Sequence, residues 1–124
     1  MLKAGTAARR HALTWPQAHT PDDVRRQVAA LMRGVDKRLQ QHKAHWVGHV
    51  KVLISGGGTT IYGSITTADD QPRWSGSLNC ALSHADLTIY AAIYTLTDAQ
   101  VAAAIDGALA QQPVSASADE RADA

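Results

Sequence analysis

The sequence contains no phenylalanine, and aromatic residues make up only 5% of it. Its core must therefore be aliphatic, built from Val, Ile, Leu and the 23 alanines. A single cysteine, Cys80, excludes an internal disulfide framework and fits a reducing compartment. No apolar run approaches the ~18 residues of a membrane-spanning helix. Residues 1–19 carry no acid and lack the apolar stretch of a secretory signal. The expectation is a cytoplasmic protein that makes no membrane contact. Catalytic signatures are missing as well. Gly56, Gly57 and Gly58 are turn glycines rather than a phosphate loop, because no Gly-Lys-Ser/Thr follows them. Cys80, His84 and Asp86 are close in sequence, but nothing around them matches a thiol-nucleophile signature. The chain is read as a non-enzymatic module that needs no cofactor.

What remains is ordinary globular material: 124 residues, 45% hydrophobic and 19% charged, enough for one domain. The formal net charge of +1 hides a split. Ten of the twelve Lys and Arg residues lie in 1–51, whereas eight of the eleven acids lie in 52–124. Such halves suit an anionic partner, or each other, within one molecule or between two. Residues 1–19, basic and rich in Ala, Gly and Thr, are expected to be a flexible arm. Their composition resembles that of a transit peptide, but no cleavage-type pattern accompanies it. Residues 20–112 are expected to be a single α+β domain, and 113–124 a disordered tail rich in Ser, Ala and acids.

Within the domain, Thr20-Pro21-Asp22-Asp23 opens a helix with a capping hydroxyl, a first-turn proline and two acids at the positive end of the helix dipole. Val24, Val28, Leu31, Met32, Val35, Leu39, His42 and Trp46 then form one apolar stripe, and Gly48 is the expected stop. Arg25, Arg26, Arg33, Asp36, Lys37, Gln40, Gln41 and Lys43 fall on the opposite side. The period next drops to two. Val50, Val52 and Ile54, then Ile61 and Ile65, flank the glycine turn as a β-hairpin. A polar loop over 68–79 leads to a third strand, 86–96, in which Leu87, Ile89, Ala91 and Ile93 alternate with Thr88, Tyr90, Ala92 and Tyr94. Thr97-Asp98-Ala99-Gln100 is a capping box that opens a second, alanine-rich helix. The expected fold is a two-layer α-β-β-β-α arrangement, a three-stranded antiparallel meander with both helices on its aliphatic face. The order is shared with the double-stranded-RNA-binding fold. That fold needs a basic start to its second helix, however, and here Asp98 and Asp106 make the helix acidic, so the likeness is one of order alone.

Three surfaces stand out. The sheet face opposite the helices should carry Tyr62, Tyr90 and Tyr94 with Lys51 beside them, and Trp74 in the polar loop is a further contact candidate. This surface or an unpaired strand edge is expected to make a homodimer or to hold a protein partner. A tyrosine-lined sheet also suits stacked bases, but that requires cations beside the rings, and only Lys51 is evident. The second surface is the polar side of the first helix, where Arg25, Arg26, Arg33, Lys37 and Lys43 form a row able to neutralise the phosphates of a nucleic acid. The third is His42, His45 and His49, whose spacing on a continuous helix would let them share a metal ion.

Overall fold

The computed structural model describes residues 3–111, so the stretch expected as a tail, 113–124, lies outside the described residues. The described residues form an α+β fold with one open sheet of five antiparallel strands and two helices. The elements run β1 (Ala4–His19), α1 (Pro21–His42), β2 (Val47–Gly56), β3 (Thr59–Thr67), β4 (Arg73–Ser77), β5 (Leu82–Tyr94) and α2 (Asp98–Ala110). In space the strands lie in the order β1-β5-β2-β3-β4.

Two strands join the three expected from sequence, and the expected meander order is corrected. The expected third strand is β5, which pairs with β2 rather than with β3, placing Val52 opposite Ile89 and Ile54 opposite Leu87. Part of the polar loop, residues 73–77, is strand β4 on the outer side of β3. Residues 4–19, expected as a loose arm, form β1 along β5, with Ala8 opposite Tyr90 and His11 opposite Leu87. This strand is hard to recognise because its inward positions read Gly5, Ala7, Arg9, His11, Leu13 and Trp15. Only the last two are large and apolar, so the usual alternation is masked. An edge strand tolerates such residues where its border is only partly covered. Arg9 turns its guanidinium out to Asp106 of α2 at 2.8 Å, a link between the basic and acidic halves within one molecule.

Each helix begins where its capping residues direct. The Thr20 hydroxyl accepts from the Asp23 N–H at 3.1 Å. In α2 the Thr97 hydroxyl accepts from the Gln100 N–H, and the Gln100 side chain accepts from the Thr97 N–H, at 3.1 and 3.0 Å. The end of α1 differs from expectation. The helix stops at His42, and Gly48 is a residue of β2. At Gly48 the β5 backbone comes so close that a Cβ would lie 2.1 Å from the Ala92 carbonyl oxygen, so only glycine fits.

The inward face of the sheet (Val50, Val52, Ile54, Ile61, Ile65, Leu87, Ile89, Ala91, Ile93) forms one core cluster with Val24, Val28, Leu31, Met32, Val35 and Leu39 of α1 and Val101, Ala104, Ile105 and Ala108 of α2. Trp46 extends the stripe of α1 to the core, but from the turn after the helix. What holds it there is Asp36, assigned by periodicity to the polar side yet only 4% exposed. Its Oδ1 accepts from the Trp46 indole N–H at 2.8 Å and from the Gln40 amide at 2.9 Å. Its Oδ2 accepts from the Asp69 N–H at 2.9 Å. One buried carboxylate thus ties α1, the turn into β2 and the β3–β4 turn together.

Candidate functional site

Strand alternation divides the aromatic residues cleanly. Trp15 and Trp46 are buried. Trp74, a surface candidate by sequence, sits opposite Gly63 on the core side of β4 and packs, half-buried, against the cluster. A Cβ on Gly63 would come 2.7 Å from the Trp74 ring. Trp74 therefore lies on the side of the sheet away from the tyrosines. Tyr62, Tyr90 and Tyr94 point outward and are 54%, 40% and 42% exposed.

The strand register lays out the open face in rows. One row runs Ala8, Tyr90, Lys51, Ser64, Arg73 across all five strands. The next runs Arg10, Thr88, Leu53, Tyr62, Ser75. Beyond it lie Ala12, Asp86, Ser55, Thr60 and Ser77, and on the other side Thr6, Ala92 and His49. The face is thus built of hydroxyls, small residues and tyrosines, with Arg10, Lys51 and Arg73 as its formal cations and Asp86 as the acid within these rows. Sequence reasoning found Lys51 but missed Arg10 and Arg73. Both lay in segments read as arm and loop, where alternation could not assign them a side.

Between β2, β3 and β4 the face dips into an open depression of about 270 Å³ lined by Lys51, Tyr62, Ser64, Arg73 and Ser75. At its border, the Asp70 carboxylate accepts from the Thr66 and Gln71 N–H groups at 3.0 and 2.9 Å. The Thr66 bond, aided by the charge of Arg73, holds the Asp70 carboxyl below the usual carboxylate range. Arg73 stands 3.8 Å away, 69% exposed and outside hydrogen-bonding distance.

The basic side of α1 is less available than its sequence implies. Arg25 is paired with Asp22 and Arg26 with Asp23, each three residues along the start of α1. Lys43 donates to the Thr95 hydroxyl at 2.7 Å. Arg33 and Lys37 are exposed. The histidine triplet is spread over three settings: His42 ends α1, His45 lies in the turn, and His49 is on β2. The described residues contain no group of three His, Cys, Asp or Glu side chains placed to hold a metal ion. The acids of α2 are engaged within the chain, Asp106 by Arg9 and Asp98 by the Thr6 N–H at 2.8 Å. The latter bond also occupies an outward N–H of the β1 edge. Among the described residues no helix is long and apolar enough to cross a membrane.

Chemically, the open face offers flat aromatic surfaces, hydroxyl donors and a few exposed cations. Comparison with protein-family models, with curated proteins and with solved structures finds no match to this chain.

Proposed function

We propose that the protein is a non-enzymatic binding and assembly module whose contact surface is the open face of the sheet. The observation that carries this reading is the sorting of side chains: every tyrosine and the cations Arg10, Lys51 and Arg73 lie on the face the helices leave bare. Tyrosine suits any strand, but three exposed tyrosines beside three cations combine the amphipathic rings and charge of which contact surfaces are made.

Self-association through this face is one way to fill it. Five strands about 4.8 Å apart, paired over about 27 Å, present roughly 600 Å². A two-fold pairing would bury roughly 1,200 Å² in total, at the lower end of specific interfaces. Size-exclusion chromatography with light scattering, together with the ratio of absorbance at the nucleic-acid and protein maxima, tests the reading. Tyr90→Glu is expected to change either the native mass or the amount of nucleic acid carried through purification. A protein-only monomer that Tyr90→Glu leaves unaltered in both respects contradicts it.

A further inference from the structure

We infer that the partner of the open face is a single-stranded nucleic acid, its bases stacked on Tyr62 and Tyr90 and a phosphate seated between Lys51 and Arg73. The inference rests on the open-face reading above and supplies the occupant.

Charge is the first argument. The molecule pairs Arg9, Arg25 and Arg26 with its own carboxylates, and Arg73 has Asp70 at 3.8 Å, but among the described residues Arg10 and Lys51 of the tyrosine face have no such partner. Lys51 and Arg73 stand in one row with Ser64 between them, two strands apart, so about 10 Å separates their backbones. Both border the depression, whose lining holds no acid, and Asp70 stands outside that lining on the Arg73 side. Like charges that converge on one pocket repel each other unless an anion sits between them. Ser64 and Ser75 line the same pocket with hydroxyl donors. Asp70 offsets part of the Arg73 charge from 3.8 Å, but its oxygens accept from the Thr66 and Gln71 N–H groups, and the Arg73 guanidinium is left without a hydrogen bond to it.

Spacing is the second argument. Tyr90 is directly opposite Lys51, and Tyr62 is opposite Leu53, the next outward residue of β2. Two strands across and one pleat along put the two tyrosine backbones about 12 Å apart, with Lys51 between them. Arg10 lies one row from Tyr90 on its far side. Cations therefore alternate with rings across the sheet, the pattern in which a backbone is tracked electrostatically while bases stack without regard to sequence. A duplex hides its base faces and cannot use these rings. A second copy docked face to face would bring both sets of Arg10, Lys51 and Arg73 into one desolvated layer, with only Asp86 and Asp70 as compensating acids in each.

The test is fluorescence anisotropy of a labelled oligothymidine of about fifteen nucleotides, beside a duplex of equal length, with the full chain. Three cations on the strand, Arg10, Lys51 and Arg73, give a salt slope near −2, or about a 16-fold loss of affinity between about 50 and 200 mM salt. Tyr62→Ala and Tyr90→Ala should each weaken binding by about 5- to 150-fold. Lys51→Gln and Arg73→Gln should each flatten the slope by about 0.7. Unchanged circular dichroism establishes that these exposed-site variants fold. Tighter binding to the duplex overturns the inference, as does binding that survives both tyrosine variants but is lost in Arg33→Glu/Lys37→Glu. No binding at low salt, with a native mass that Tyr90→Glu alters, overturns the nucleic-acid occupant while sparing the open-face reading. No binding and an unalterable monomer overturn both.

Discussion

Replacing Asp36 with alanine should be among the most damaging single changes in the domain. The side chain is 4% exposed and satisfies three donors: the Trp46 indole, the Gln40 amide and the Asp69 N–H. Gln40 can swing to solvent, since it also reaches Asp69 Oδ1 at 3.2 Å on the surface. The indole of fully buried Trp46 cannot. The Asp69 N–H is similarly restricted, because Asp69 holds a left-handed conformation, φ 63°, that fixes the turn. Leaving a buried donor unsatisfied costs about 1–3 kcal/mol. The Trp46 indole is such a donor, and the part-buried bond from the exposed Asp69 adds about 0.5–1.5 kcal/mol, giving about 1.5–4.5 kcal/mol in all, against a total stability of about 5–15 kcal/mol for a domain. Asp36→Asn should cost less, about 1–3 kcal/mol, because an amide keeps one acceptor but presents N–H₂ to one of the donors. Urea unfolding followed by far-ultraviolet circular dichroism reads both variants without relying on the fluorescence of Trp46. A loss below about 1 kcal/mol for Asp36→Ala would refute the view that this carboxylate is the tie between helix and turns.

Other predictions follow from single contacts. Gly48→Ala should lower stability by about 3 kcal/mol or more, because the new methyl meets the Ala92 carbonyl rather than a side chain that can move, and thermal unfolding will show it. Thr97→Ala should cost about 1 kcal/mol by removing one half of the capping box, and Thr97→Ser should restore most of it in the same assay. His11 is half-buried, its Nε2 has no hydrogen-bond partner, and burial lowers its pKa below the ordinary value of 6.5. The unfolded chain therefore takes up this proton first. Above pH 6.5 the imidazole is neutral in both states and adds no pH dependence, and stability falls as pH drops below it until the folded pKa is passed. In His11→Gln the urea midpoint should shift less between about pH 7.5 and pH 5 than in the parent; an identical shift in both would exclude His11 as its source.

How much of this was legible in the sequence depends on whether a segment faces the core on a regular period. The β2–β3 hairpin, most of β5 and α2 could be read because Val, Ile and Leu recur at every second position, or because Thr97 and Gln100 stand at capping distance. Strand β1 was hidden because Ala7, Arg9 and His11 occupy its inward positions, acceptable only where α2 borders the sheet and Asp106 receives the guanidinium. Strand β4 was hidden by its polar outward residues and by Gly76, whose φ of 80° breaks the pattern. The end of α1 was misplaced because Trp46 continues the helical stripe in sequence while reaching the core from a turn. The side on which the tyrosines lie followed from alternation alone. The neighbours that give them chemical meaning did not, since Arg10 and Arg73 enter the face only through the pairing of β1 with β5 and of β4 with β3.

The most direct test of the central claim is to map backbone amide chemical shifts while the full chain is titrated with the same oligothymidine. The account predicts that the perturbed amides cluster at 49–53, 60–64, 73–75 and 86–92, in contiguous rows of the open face. Perturbations confined to the outer side of α1 around Arg33 and Lys37, or none at all at saturating oligonucleotide, would contradict it.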